Sequence, residues 1–447
     1  MFFCNECGAE TSKWAGKCPA CGAWDSLRES SRVTGKKVKN KKTIFSNLVE
    51  ERNTKPQKIS EIKSDKKERI KTNVEEFDGV LGSGIVPGMV ALIGGEPGIG
   101  KSTLLLQIAN KLVVNGNEIL YVSGEESNQQ IKLRSKRLNC KAENLYLYCE
   151  TDFNSIIDTI VDLKPDAVVI DSIQSVYMDS VGSTPGSISQ LRECTSMFTR
   201  IAKKLEIPFF LIGHVTKDGS VAGPKIIEHM VDTVLYFESE MNNQFKIMRA
   251  TKNRFGSTNE IGIFEMLSSG LKEVKNPSRI FIDKRVGDIG TAVGSLLEGS
   301  RAFMVEVQAL VSPASYGNSQ RVALGFDHRK LAVLLAVIEK NLSIDLKNND
   351  IFVKLAGGMK VFDPALDLAV VASILSSFKE IPVKPQMLLL GEVGLNGEIR
   401  PVSQINKRIK EAMKMGYKNV IVSDRTKNIN KKATKIKHIK QLLPILF

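Results

Sequence analysis

The chain is 447 residues long, 42% hydrophobic and 25% charged, with a formal net charge of +14. That length points to roughly two to four domains with sizeable cores. No apolar run reaches the ~20 residues that cross a bilayer. Met1-Phe2-Phe3-Cys4 lacks the basic segment and apolar core of a secretory signal, so the expected location is the cytoplasm, with no membrane partner. The charge is uneven: residues 31–71 carry +9 and residues 400–440 carry +11, leaving −6 for the rest. Such stretches favour polyanions, although solvated lysines read the same way.

Residues 1–28 contain Cys4-x2-Cys7 and Cys18-x2-Cys21. Each pair can form a tight turn that aims two thiolates at one tetrahedral ion, and two pairs close a four-cysteine zinc site. Gly8 and Gly22 follow the second cysteine of each pair, where a tight knuckle wants a positive φ. Disulfides and redox thiols are the alternatives. A cytoplasmic chain argues against the first, and the paired knuckles against the second. Cys4, Cys7, Cys18 and Cys21 are therefore read as Zn²⁺ ligands. Cys140, Cys149 and Cys194 are isolated and are assigned no role.

Residues 29–71 are rich in Lys, Ser and Asn and read as a basic linker. As a flexible coil it would span roughly 35 Å r.m.s., so the zinc module could reach a neighbouring subunit or a bound nucleic acid. Residues 72–275 alternate apolar strand-like runs (118–122, 167–170, 208–212, 233–237) with helical stretches such as 154–163 and 187–204. That alternation predicts a largely parallel sheet covered by helices. Residues 277–447 form a second α/β unit. Asp327 opens one helical pattern, Asp363-Pro364 reads as a cap and first position of another, and Ile405, Ile409, Ala412 and Met413 mark a third, closed by Gly416.

The most informative stretch is Gly94–Thr103, which contains G-x-x-x-x-G-K-S between an apolar strand, 90–93, and a helical pattern, 104–112. Strand, glycine-rich loop and helix are the context of a phosphate-binding loop. Gly95, Glu96, Pro97, Gly98, Ile99 and Gly100 would cradle the phosphates of ATP with backbone N–H groups, helped by the helix N-terminus. Lys101 can reach the β- and γ-phosphates, Ser102 can ligate Mg²⁺, and Thr103 completes the motif. Asp171 ends the strand Ala167–Ile170 and can hold Mg²⁺ directly or through water. Glu125 or Glu126, after the strand ending at Val122, is the candidate to polarise the attacking water. His214 stands where it could sense the γ-phosphate. Met178–Ser187 and 216–225 are glycine-containing loops suited to couple nucleotide state to a partner, with ordinary connections as the alternative. Lys252 and Arg254 could clamp developing phosphate charge, usually from a neighbouring subunit, or simply form a solvated basic hairpin.

Cys4–Cys21 with Trp14–Pro19, Gly79–Gly88, Gly94–Thr103, Val122–Ser127 and Lys252-Asn253-Arg254-Phe255-Gly256 occur in an order that strongly resembles the bacterial RadA (Sms) family of recombination and DNA-repair ATPases. The resemblance covers nearly the whole chain. It implies an α/β protein: a RecA-like P-loop ATPase core (72–275) between a zinc module (1–28) and a Lon-protease-like domain (277–447). It implies a hexameric ring on single-stranded and branched DNA, ATP-driven branch migration, and cooperation with the RecA recombinase. It places Glu125 rather than Glu126 at the water-activating position, and Lys252 and Arg254 across the subunit interface. Leu390–Val402 looks like Lon. Ala365 falls where a Lon-type Ser nucleophile is expected and Asn406 near the expected Lys. Lys407 is adjacent, but without the Ser it completes no dyad, so peptidase activity is not expected. A mediator that ATP switches by protein interaction, without strand translocation, is the alternative function.

Overall fold

The computed structural model describes residues 2–4, 10–20, 22–29, 58, 60, 68–140, 143–214, 223–240, 245–279, 281–282, 288–314, 319–356, 361–429 and 433–447. The chain divides into two units, Met1–Glu273 and Val274–Phe447.

At the N-terminus β1 (Phe2–Cys4), β2 (Glu10–Thr11) and β3 (Leu27–Glu29) form an antiparallel sheet in the order β2-β1-β3. Cys4, Cys18 and Leu27 are buried together in its small core. Gly22 takes the positive φ (76°) expected of a knuckle glycine. Gly8, Cys7 and Cys21 lie outside the described residues.

The first unit is built on nine strands: β4 (Val90–Gly95), β5 (Ile119–Ser123), β6 (Leu145–Tyr148), β7 (Ala167–Asp171), β8 (Phe209–His214), β9 (Thr233–Glu240), β10 (Phe245–Asn253), β11 (Ile261–Leu267) and β12 (Gly270–Glu273). Their order is β12-β11-β10-β9-β4-β8-β7-β5-β6. The six strands from β9 to β6 are parallel. Such strands need both faces covered, and their sequences are accordingly apolar runs. Along β4, Ala91 and Ile93 face one core with Leu105 and Ile108 of the helix Lys101–Val114. Val90 and Leu92 face the other, with Phe153, Ile156 and Phe198 of the helices Phe153–Leu163 and Ile188–Leu205.

The sheet departs from the sequence expectation at one side. Strands β10, β11 and β12 are antiparallel additions. Only 241–244 separate β9 from β10, and only 268–269 separate β11 from β12, too few residues for a crossover. β10 also runs on through Lys252 and Asn253, past a bulge at Ala250/Lys252. Gly256 then passes so close to Gly82 that a Cβ on it would lie 2.8 Å from the Gly82 Cα.

In the second unit β13 (Thr291–Glu298), β14 (Arg301–Pro313), β15 (Arg321–Leu324) and β16 (Asn349–Leu355) form a mixed sheet, β13-β14-β16-β15. The buried helix Asp367–Lys379 packs against it. β17 (Met387–Leu389), β20 (Asn419–Ser423) and β21 (Thr434–Ile436) form a parallel sheet, and β18 (Glu392–Val393) pairs with β19 (Ile399–Arg400). Asp327 caps the helix His328–Leu342 by accepting from the Lys330 N–H at 2.8 Å. Asp363 caps too, but Pro364 opens a 3₁₀ turn, Pro364–Leu366, ahead of the α-helix proper. The helix Ile405–Lys414 buries Ile405, Ile409 and Ala412 as its pattern predicts.

Candidate nucleotide site

The loop between β4 and the helix Lys101–Val114 needs its glycines for three separate reasons. Gly95, Gly98 and Gly100 have φ of 150°, 75° and 118°, which L side chains rarely adopt. A Cβ on Gly95 would also sit 2.6 Å from the Phe237 carbonyl oxygen. Gly100 caps the helix without a side-chain acceptor, so the first-turn N–H groups stay available to an anion.

Lys101 is 3% exposed. Its ammonium donates to the Gly95 and Glu96 carbonyls at 2.8 and 2.9 Å and stands 3.2 Å from His214 Nδ1. An ammonium has no acceptor, so Nδ1 accepts and the His214 proton sits on Nε2. Parallel pairing sets this up, because His214 ends β8 directly beside Gly95 of β4. His214 Nε2 lies 3.2 Å from Glu125 Oε1, and the Ser172 hydroxyl donates to the same oxygen. Glu126 turns away to pair with Arg134. The structure therefore brings Glu125, and not Glu126, to Lys101 and His214.

Asp171 ends β7, paired with Ser123 of β5, and accepts from the buried Tyr121 hydroxyl at 2.6 Å. Burial, and then Asp171, push the Tyr121 phenol well above its usual range, so it stays a donor. The Asp171-Ser172 peptide is cis. Ser102 and Thr103 follow Lys101 in the first helical turn, both half-buried. Three of these contacts escaped the sequence: Ser172, Tyr121 and the His214–Lys101 pair. A hydroxyl directly after the strand-ending Asp was the one available signal.

Burial lowers the Lys101 ammonium to about 8, with Asp171 and then Glu125 opposing the shift. Bound phosphate would raise it again. Below about pH 8 Lys101 is charged with or without nucleotide, so affinity is level. Above it the free site has lost a proton that the bound site keeps, so binding takes one up. ATP affinity should then fall by up to about tenfold per pH unit until the bound-state value is passed. Calorimetry in two buffers of different ionisation heat should show proton uptake near about pH 8.5 in the native chain and none in Lys101→Arg, whose guanidinium stays charged.

Lys252 and Arg254 lie elsewhere. Lys252 pairs in register with Val234 and Asn253 with Thr233, which itself pairs with Ala91. That is the opposite end of β4 from Gly95, four residues or about 13 Å along the strand. The Lys252 ammonium donates to the Glu228 and His229 carbonyls at 2.9 and 3.0 Å. Arg254, half-exposed, pairs at 3.0 Å with the buried Asp232. Neither reaches the phosphate loop of its own chain.

The loop Met178–Ser187 is fastened by Gln190 of the following helix. The Gln190 carboxamide accepts from the Met178 N–H at 2.9 Å and donates to the Met178 and Ser183 carbonyls at 3.0 Å. Of the loop 216–225, residues up to 222 lie outside the described residues, and Gly223–Glu228 is helical.

In the second unit Ala365 is fully buried, and its N–H is accepted by Asp363 at 2.9 Å. The other Asp363 oxygen pairs at 2.7 Å with Arg408, itself 1% exposed and bonded to the Ser295 and Ser403 carbonyls. The Asn406 amide donates to the Asn428 carbonyl at 2.8 Å, and Lys407 to the Ser300 carbonyl at 3.2 Å. Sequence reading missed Arg408, which sits in a pattern that looks polar and solvated. Among the described residues no helix is long and apolar enough to cross a membrane.

Family models match three stretches. Residues 2–29 match a rubredoxin metal-binding domain, 56–220 an AAA domain, and 329–426 subunit ChlI of Mg-chelatase. The chain is 50% identical to DNA repair protein RadA of Bacillus subtilis over 94% of its own length and 92% of that protein's. It is 48% identical to DNA repair protein RadA of Listeria monocytogenes, over 94% and 91%. For DNA repair protein RadA of Streptococcus pyogenes serotype M1 the identity is 49%, again over 94% and 91%. Likeness at this level, running from the zinc ribbon through the phosphate loop to the last α/β unit, means that the chain belongs to the RadA family of DNA repair proteins.

Proposed function

We propose that this DNA-repair ATPase is a DNA-dependent motor that promotes branch migration of recombination intermediates, working with the RecA recombinase. The observation that carries the reading is the separation of Lys252 and Arg254 from the phosphate loop along β4 and β9. Cations at that end can serve a nucleotide only on a neighbouring chain, which calls for a head-to-tail assembly, here a hexameric ring.

The donor set fits Mg·ATP. Gly95–Thr103 and Lys101 would hold the phosphates, while Ser102 and Asp171 would hold Mg²⁺, which neutralises phosphate charge. Glu125 orients and deprotonates the attacking water, with Ser172 and His214 fixing its carboxylate. Lys252 and Arg254 complete the neighbour's site. Zn²⁺ would be held by Cys4, Cys7, Cys18 and Cys21; the common burial of Cys4 and Cys18 fits a shared ion. The domain limits proposed are 1–28, 29–71, 72–275 and 277–447.

Loops 178–187 and 216–225 would grip single-stranded and branched DNA in the cytoplasm. The Lon-like domain acts as a scaffold and not as a protease. Ala365 offers only a buried methyl group, and Asp363 beside it is committed to Arg408.

The test is ATPase rate with and without single-stranded DNA, together with a three-strand branch-migration assay on RecA-made intermediates. DNA should raise the rate several-fold and the protein should speed branch migration. Unchanged rates in both, beside a verified RecA reaction, would end this reading. The backbone term predicts a loss of about 0.7 log units in affinity per log unit of salt for each phosphate neutralised.

A further inference from the structure

The nine-stranded sheet ends on one side at β6, paired only with β5 among the described residues. Its outer edge offers a row of N–H and C=O groups with no strand to meet them, a feature that natural sheets usually blunt or cover. On the face that carries the buried Ile131, Leu147 of β6 and Leu133 of the helix Asn128–Arg137 border a shallow depression of about 600 Å³. Leu133 is 68% exposed, and Tyr146 on the other face of the strand is 39% exposed. The helix is cationic, with Lys132, Lys136 and Arg137 besides the Glu126-paired Arg134. A bare edge, an apolar depression and a positive rim together describe a seat for an extended apolar segment followed by acidic residues.

The chain contains such a segment. Within the basic stretch 31–71, Thr43-Ile44-Phe45-Ser46-Asn47-Leu48-Val49 is the densest apolar run, and Glu50-Glu51 follow at once. Thr, Ile, Phe and Val suit a strand. In extended form Phe45 and Val49 share one face, Ile44 and Leu48 the other. These residues lie outside the described ones, so their sequence alone enters the argument.

The anchoring of the following residues says which copy is served. Arg69 donates to the Phe255 carbonyl at 2.8 Å, and Glu76 accepts from the Ile263 N–H at 3.0 Å. This holds residues 69–76 against β10 and β11, at the far side of the sheet. Seven strand spacings separate β11 from β6, about 34 Å. Head-to-tail packing brings the β6 edge of the next copy toward the side from which the linker departs.

We propose that residues 43–51 of one chain add to the β6 edge of a neighbouring copy. An apolar face of the segment then covers Leu133 and Leu147, and Glu50 and Glu51 face Lys132, Lys136 and Arg137. The inference rests on the head-to-tail assembly proposed above.

Cys149, exposed directly after β6, supplies the test. A Ser46→Cys, Cys149→Ser chain is mixed with the native chain, oxidised with diamide, and run on a non-reducing gel. A cross-linked dimer is expected from the mixture. It should vanish when Cys149→Ser is present in both chains, and fall at least fivefold when the accepting chain carries Leu133→Glu. Binding of a fluorescent ATP analogue, unchanged in Leu133→Glu, shows that this variant is folded. A cross-link confined to the single variant Ser46→Cys at monomer mobility would assign the segment to its own chain and overturn the proposal. Absence of any Ser46-dependent cross-link would overturn it as well. The readout needs neither DNA nor hydrolysis. Its failure leaves the motor reading standing, and loss of DNA stimulation with the cross-link intact removes only the motor reading.

Discussion

Replacing Glu125 with Gln is expected to cut the ATPase kcat by about 10²–10³-fold, the usual worth of a positioned general base. The carboxamide keeps the size of the side chain and can still accept from Ser172, which donates to Glu125 Oε1. What it loses is basicity. Nucleotide affinity should stay within about threefold, because the phosphates are held by the loop and by Lys101, whose partners are Gly95, Glu96 and His214. Glu126→Gln is the control. Its carboxylate is tied to Arg134 on the helix Asn128–Arg137, so kcat should change little. The check is steady-state ATPase beside equilibrium binding of a fluorescent ATP analogue. Equal losses in the two variants, or a large loss of affinity in Glu125→Gln, would remove Glu125 from the water-activating role.

The second large effect concerns Arg254. Arg254→Ala should lower DNA-stimulated ATPase by about 10³-fold or more, as for arginines supplied in trans. Lys101→Ala should be equally inactive for the opposite reason: its own site is dead while its Arg254 is intact. Mixed in equal amounts, the two dead proteins should recover activity. Half of the intact loops then adjoin a chain that still has Arg254, so the mixture should reach about a quarter of the native rate. A merely structural role predicts no recovery. That distinction matters because Arg254 also neutralises the buried Asp232, whose other nearby cation is Lys203 at 3.7 Å. A fold defect from stranding Asp232 would not be repaired by mixing.

How much of this could be read in advance depended on sequence distance. The phosphate loop was legible because its strand, glycines, Lys101 and helix are consecutive. The parallel strands were legible as apolar runs, and the cap at Asp327 as a local hydrogen bond. Contacts between remote segments were not. His214 meets Lys101 from 113 positions away, and Tyr121 meets Asp171 from 50. Arg408 looked like a solvated residue of an amphipathic helix, and only the fold brings Asp363 and the Ser295 carbonyl to it. The spacing of Lys252 and Arg254 said that they share a segment. It could not say at which end of the sheet they stand, since that follows from β10 turning back antiparallel to β9.

That turn has a consequence for symmetry. A subunit that receives at one end of β4 and gives at the other is polar, and polar contacts cannot be related by a two-fold axis. An isolated pair of chains joined this way has one complete site and one that lacks its donor. Only closure makes every site equivalent, and once closed all sites face the same way round. Handedness of firing is then a property of a single strand pairing, fixed in each chain before any ring exists.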